Sequence, residues 1–103
     1  MNRKPDAVCI LALLKSESKV QADIVLVRQF RPPLNAHTIE LPAGLVDDGE
    51  TEAQAALREL KEETGYIGIV RSNTAPMGLS PGLTSETVSL VTVDVDLDLP
   101  SNA

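Results

Sequence analysis

The period of apolar and polar positions changes twice along the chain, and the changes mark its elements. Ala7 to Leu14 is apolar throughout and predicts a first, central strand. The run Ile24-Val25-Leu26-Val27 predicts a second strand over about 22–30, closed by the paired prolines Pro32 and Pro33. A short third strand is predicted over about 37–41. At Thr51 the period lengthens. Thr51-Glu-Ala-Gln54 is a capping box, so a helix is predicted from Glu52 to Thr64, with Gly65 as the left-handed residue that ends it. Ala53, Ala56, Leu57 and Leu60 recur at three- and four-residue steps and form its core-facing stripe. Two more strands follow, over about 67–72 and 86–95, with Pro81-Gly82 as a turn signal before the second. Asp94, Asp96 and Asp98 then alternate with Val95, Leu97 and Leu99, giving the acidic and apolar faces of a solvated edge strand before an acidic, loop-like tail.

This order of elements fits an α/β fold, a mixed β-sheet with one helix packed on one face. A chain of 103 residues is one domain, and one of that size buries only about two-thirds of its unfolded surface. Composition narrows the function. With 15 acidic and 9 basic residues, the latter scattered, nothing suggests nucleic-acid binding. No apolar stretch reaches membrane-spanning length, and Met1 to Asp6 is too short and polar before Ala7 to make a signal peptide. Cys9, the single cysteine, sits in an apolar strand as a buried thiol, supports no internal disulfide and fits a reducing compartment. His37 falls in a loop and is expected to be exposed.

The helix carries the chemistry. Glu59, Glu62 and Glu63 lie beside the apolar stripe, one turn apart on a neighbouring face. Carboxylates so placed repel by roughly 1 kcal/mol per pair in water and about 3 kcal/mol at the effective dielectric of a protein edge. They also crowd the C-terminal half, where the helix dipole favours cations. A hard divalent cation reverses the sign of the interaction, because carboxylate oxygens are its preferred ligands. Taken alone, E-x-x-E-E equally describes a solvated acidic face with Arg58 paired to Glu62. The wider pattern decides between them. Gly44, Glu50, Arg58, Glu59, Glu62, Glu63 and Gly65 would coincide by chance in roughly one window in 10⁸ at ordinary residue usage.

Those residues resemble the signature of the Nudix hydrolase family, G-x5-E-x7-R-E-U-x-E-E-x-G-U, where U is a bulky apolar residue; Tyr66 in the last slot is the one soft departure. The resemblance implies a Nudix fold with the loop-helix-loop on one face of the mixed sheet. It also implies Mg²⁺, with Mn²⁺ as the alternative, held on the diphosphate of a nucleoside diphosphate linked to another group. Glu59 and Glu63 match the family's main metal ligands, and Glu62 a further ligand or water-orienting carboxylate; Glu62 and Glu63 are thereby the catalytic candidates. The carbonyl of Ala43 matches a metal ligand of the ADP-sugar branch. Gly44, Glu50, Arg58 and Gly65 are structural in the motif, with Glu50 and Arg58 bracing the loop onto the helix. The cation would activate a water for attack on phosphorus and offset the acidic charge of the chain.

Segments outside the motif resemble the eukaryotic type of ADP-ribose and ADP-sugar pyrophosphatase, notably Gln29-Phe-Arg-Pro-Pro33 and Glu40-Leu-Pro-Ala-Gly44. In that branch the counterpart of Arg31 contacts substrate phosphates; read from the residues alone, Arg31 is either a bidentate phosphate clamp or an ordinary surface arginine. Pro81 stands fifteen residues after Tyr66, the mark of the ADP-ribose branch, which makes Ser80 a ribose or phosphate contact and Leu45 a backbone contact; Glu86 is left as either a site residue or a strand start. The implied reaction is hydrolysis of ADP-ribose or a related ADP-sugar to AMP and a sugar phosphate, in the cytoplasm or nucleus.

Relatives of this type carry an N-terminal β region that forms the homodimer and stacks on the base, then a downstream loop glutamate, a last strand and a C-terminal helix. The chain, which has no tryptophan, one phenylalanine and one tyrosine, reads as a partial Nudix domain over residues 1–103, truncated at both ends and with the C-terminal helix missing. The sheet face opposite the helix is therefore expected to expose valine and leucine side chains. The alternative function is a catalytically weak or silent Nudix domain acting as a binding or regulatory partner.

Overall fold

The computed structural model describes residues 7–74, 77–78 and 87–102. Its centre is a parallel pair, β1 (Ala7–Lys15) and β8 (Thr87–Asp96), in register from Ala7 opposite Val88 to Lys15 opposite Asp96. Among the described residues, four further strands pair antiparallel with these two. On the outer side of β1, β5 (Ala43–Leu45) takes its first residues and β2 (Asp23–Ile24) its last. On the outer side of β8, β7 (Met77–Gly78) and β6 (Ile69–Asn73) do the same, with a bulge between Val70 and Ser72. A separate antiparallel hairpin joins β3 (Val27–Arg31) to β4 (Ala36–Glu40). Its turn passes through a 3-10 segment at Pro32–Leu34 and a left-handed Asn35.

Period-two burial along the central strands puts Val8, Ile10 and Ala12 beside Val91, Val93 and Val95 on one face, all fully buried. The helix α1 (Glu52–Thr64) covers that face with Ala55, Ala56 and Leu60. Its boundaries are those the capping signals predict. Thr51 Oγ1 accepts from the Gln54 N–H at 3.1 Å, Gln54 Oε1 accepts from the Thr51 N–H at 2.9 Å, and Gly65 closes the helix at φ 82°. The buried line differs from the predicted stripe. Ala55 is in the core whereas Ala53 is only half-buried, so the adjacent small residues Ala55 and Ala56 form the contact with the sheet.

The predicted strand over 22–30 is two strands. Between them the Val25 N–H bonds the Ala12 carbonyl at 3.2 Å and the Val25 side chain enters the core, while Leu26 turns outward. The chain uses these residues to leave the sheet for the hairpin. The C-terminal segment is also more ordered than a loop-like tail. After a turn it forms a 3-10 segment at Pro100–Asn102, where Asn102 is 6% exposed. Asp94 and Asp96 belong to a central strand rather than a solvated edge. Asp94 pairs with Lys15 at 3.0 Å, and Asp98 accepts from Ser16 Oγ at 2.8 Å and the Glu17 N–H at 2.9 Å.

On the sheet face away from α1, Cys9, Leu11, Leu13 and Leu90 are half-buried rather than fully exposed. Partial burial pushes the Cys9 thiol above its usual range and keeps it protonated. His37 is exposed on β4.

Candidate active site: the loop and helix around Gly44 and Glu59

Arg58 organises the loop between β5 and α1. Its Nε donates to Glu50 Oε2 at 2.8 Å and its Nη2 to Glu50 Oε1 at 2.9 Å, a bidentate pair. Nη2 also reaches the Leu45 carbonyl at 3.0 Å, and Asp47 lies 3.5 Å away. Glu50 Oε1 accepts in turn from the Asp47 N–H at 3.0 Å, so one carboxylate fastens both the loop backbone and the helix. These contacts hold the guanidinium above its usual range, the hydrogen bonds to Glu50 first and that to Glu59 second.

The remaining fork of Arg58 points to the helix face that carries Glu59 and Glu62. Nη1 donates to Glu59 Oε1 at 2.8 Å and lies 3.5 Å from Glu62 Oε2. The Glu59 side chain is 15% exposed and lies across Gly44, where a Cβ would collide with its carboxyl group. Gly44 is thus glycine because of a close approach, not a special φ. Ala43 precedes it in β5, and Val8 of the central strand pairs with Gly44 itself. Glu62 is 59% exposed. Glu63, one turn beyond Glu59, has no hydrogen bond or ion pair among the described residues. Its carboxyl is raised above the usual range by partial desolvation and then by the charges of Glu59 and Glu62.

The donor set suits a hard divalent cation: three carboxylates on one helix face, one seated in a glycine cradle, one raised by partial desolvation and then by the charges of the other two. As the side chains stand, no three acidic, histidine or cysteine groups among the described residues converge closely enough to hold a metal. Glu59 is turned to Arg58 instead, and holding a cation would require its carboxylate to share or release that contact.

Of the other predicted site residues, Leu45 has its carbonyl committed to Arg58 and its side chain exposed. Arg31 ends β3, but its side chain lies outside the described residues, as do Ser80, Pro81 and Glu86 entirely. Two groups that hold the chain on either side of the helix carry no signal in the sequence. The Asp47 N–H is a backbone donor that any residue could supply, and Asn102 meets its partner, Ile67, from 35 residues away.

A mixed sheet with one helix on its face, joined by a loop whose glycine receives a helix glutamate, defines a loop-helix-loop domain with an acidic site at the helix edge. The chain belongs to the Nudix family, whose NUDIX domain pattern matches residues 3–98. It is 48% identical over 97 residues to the ADP-ribose pyrophosphatase of Saccharomyces cerevisiae, covering 94% of this chain and 42% of the yeast protein. It is 40% identical over 100 residues to the ADP-sugar pyrophosphatase of Mus musculus, covering 97% of this chain and 45% of the mouse protein. The chain therefore spans less than half the length of these relatives. Among solved structures it resembles the Ap4A hydrolase of C. elegans, with a TM-score of 0.66 and 22% identity over 91% of this chain and 70% of that one, a likeness of fold.

Proposed function

We propose that the chain carries the cation-binding core of a pyrophosphohydrolase acting on ADP-ribose or a related ADP-sugar, releasing AMP and a sugar phosphate. The carrying observation is the placement of Glu59 across Gly44, held by the Arg58 to Glu50 pair, with the unpaired Glu63 one turn on. The names of the yeast and mouse relatives support the substrate class. In this reading Glu59, Glu63, Glu62 and the Ala43 carbonyl hold Mg²⁺ or Mn²⁺, and Arg31, Ser80 and the Leu45 backbone contact the substrate. The bound cation supplies charge neutralisation at the diphosphate and a water of lowered pKa. The chain's own residues do the positioning: Arg58 keeps the loop against the helix, and Glu62 and Glu63 orient the attacking water.

The working enzyme is read as a cytoplasmic or nuclear homodimer. Among the described residues no helix is long and apolar enough to cross a membrane. A second reading, a silent domain serving as a binding partner, draws support from the commitment of Glu59 to Arg58 and the lack of three converging ligands.

AMP release from ADP-ribose by the 103-residue chain, with and without Mg²⁺, separates the two. Mg²⁺-dependent release is expected. Glu63→Gln should cut it by more than the roughly 10- to 100-fold that loss of an outer-shell partner costs, with the fold kept. Near-normal turnover in that variant would remove Glu63 from the site, and a folded chain without release favours the silent reading.

A further inference from the structure

Glu59 and Glu63 are held in place by different means. Glu59 is fixed through its own side chain, by Arg58 and by its seat on Gly44. Glu63 has no such contact among the described residues, so the last helical turn, which sets its Cα, limits the region its carboxylate can reach. That turn is closed by the Gly65 N–H to the Lys61 carbonyl at 2.8 Å and by Thr64 Oγ1 to the Leu60 carbonyl at 2.6 Å. Two residues past Gly65 the chain is gripped from outside. Asn102 Oδ1 accepts from the Ile67 N–H at 2.8 Å, while its Nδ2 donates to the Ile67 carbonyl at 3.0 Å and the Asp96 carbonyl at 2.9 Å.

The Asn102 amide therefore engages both main-chain groups of Ile67, as a neighbouring strand would, and ties them to the last residue of β8. Its own N–H bonds the Leu99 carbonyl at 3.0 Å, and the residue is 6% exposed. Three of the four hydrogen bonds an amide can make are used in a place that water scarcely reaches. At the other end of α1, the capping box and the Arg58 to Glu50 pair fix the first turns independently.

We propose that Asn102 is a positioning residue for Glu63. By holding the main chain just beyond the helix against the end of β8, it prevents the last turn from fraying and keeps Glu63 one turn from Glu59 on the same helix face. This rests on the carboxylate site of the proposed function. It assigns a part in that site to a residue that lies 35 positions from Ile67 in the sequence.

The test titrates Mn²⁺ into the 103-residue chain, Asn102→Ala, Glu63→Gln and the double variant, and follows amide hydrogen exchange. Asn102→Ala, folded by circular dichroism, should exchange faster at Gly65 and Ile67 while Ala55 to Arg58 stay as protected as before. Its Mn²⁺ affinity should fall by about tenfold, the lower end of the cost of losing an outer-shell partner. In the Glu63→Gln background the same change should cost nothing further. Unchanged affinity in folded Asn102→Ala, or an equal loss in both backgrounds, overturns the proposal alone. A parent chain that binds no Mn²⁺ overturns the cation-site reading and the proposal with it. If the alanine variant does not fold, Asn102→Ser carries the same expectations.

Discussion

A hydrogen atom at position 44 decides where a carboxylate can sit. Because Glu59 occupies the space of the absent Cβ, Gly44→Ala should displace a flexible side-chain tip rather than backbone. The expected result is a stability change within about 1 kcal/mol, as for substitutions that leave the core intact, together with a clear loss of Mn²⁺ affinity. Chemical denaturation beside a metal titration separates the two effects; equal losses would show Gly44 to be a folding residue only. Arg58 makes the complementary point. Its pairing with Glu50 is what the family resemblance implies, but its fork to Glu59 carries no such signal, because adjacent residues on a helix do not ordinarily face each other. The motif identifies which side chains gather, and the geometry shows that Glu59 is engaged by Arg58.

At the scale of elements, α1 is the part most legible in the sequence, and the reason is locality. Its start and stop are written within four residues of each end, and the structure repeats them at Thr51, Gln54 and Gly65. Thr51→Ala should cost about 1 kcal/mol, seen as a lowered denaturation midpoint with an unchanged slope. The strands are less legible where tertiary partners decide. The unbroken apolar run Ile24 to Val27 carries no mark of the break at Val25, whose N–H bonds the Ala12 carbonyl on another strand. The short strands β5 and β7 owe their existence to β1 and β8 and have too few residues for any period to show. The tail looked like loop because its order comes from Asn102 and Asp98, whose partners lie far off in the chain.

For the molecule as a whole, Asp98 links the end of β8 to the residues just after β1. The Glu17 N–H and then the Ser16 hydroxyl hold its carboxyl below the ordinary carboxylate range. A depressed carboxyl stabilises the fold above its unfolded value, near about 4, and loses that contribution as pH falls through its lower folded value. Melting temperatures taken against pH should show Asp98→Asn less stable than the parent at neutral pH and the two converging below about pH 4. A gap that persists into acid would mean that the link does not depend on charge.

The parallel pairing of β1 with β8 also has a consequence for time. The two strands that form the middle of the sheet are about eighty residues apart in the chain. At ribosomal rates of roughly 5–20 residues per second, β1 therefore waits some 4–16 s for its main partner to be synthesised. Through that interval the β8 edge of Ala7–Lys15 stays unpaired, while β2 and β5 pair with parts of its other edge and α1 covers one face. The central parallel pair can close only once β8 has emerged.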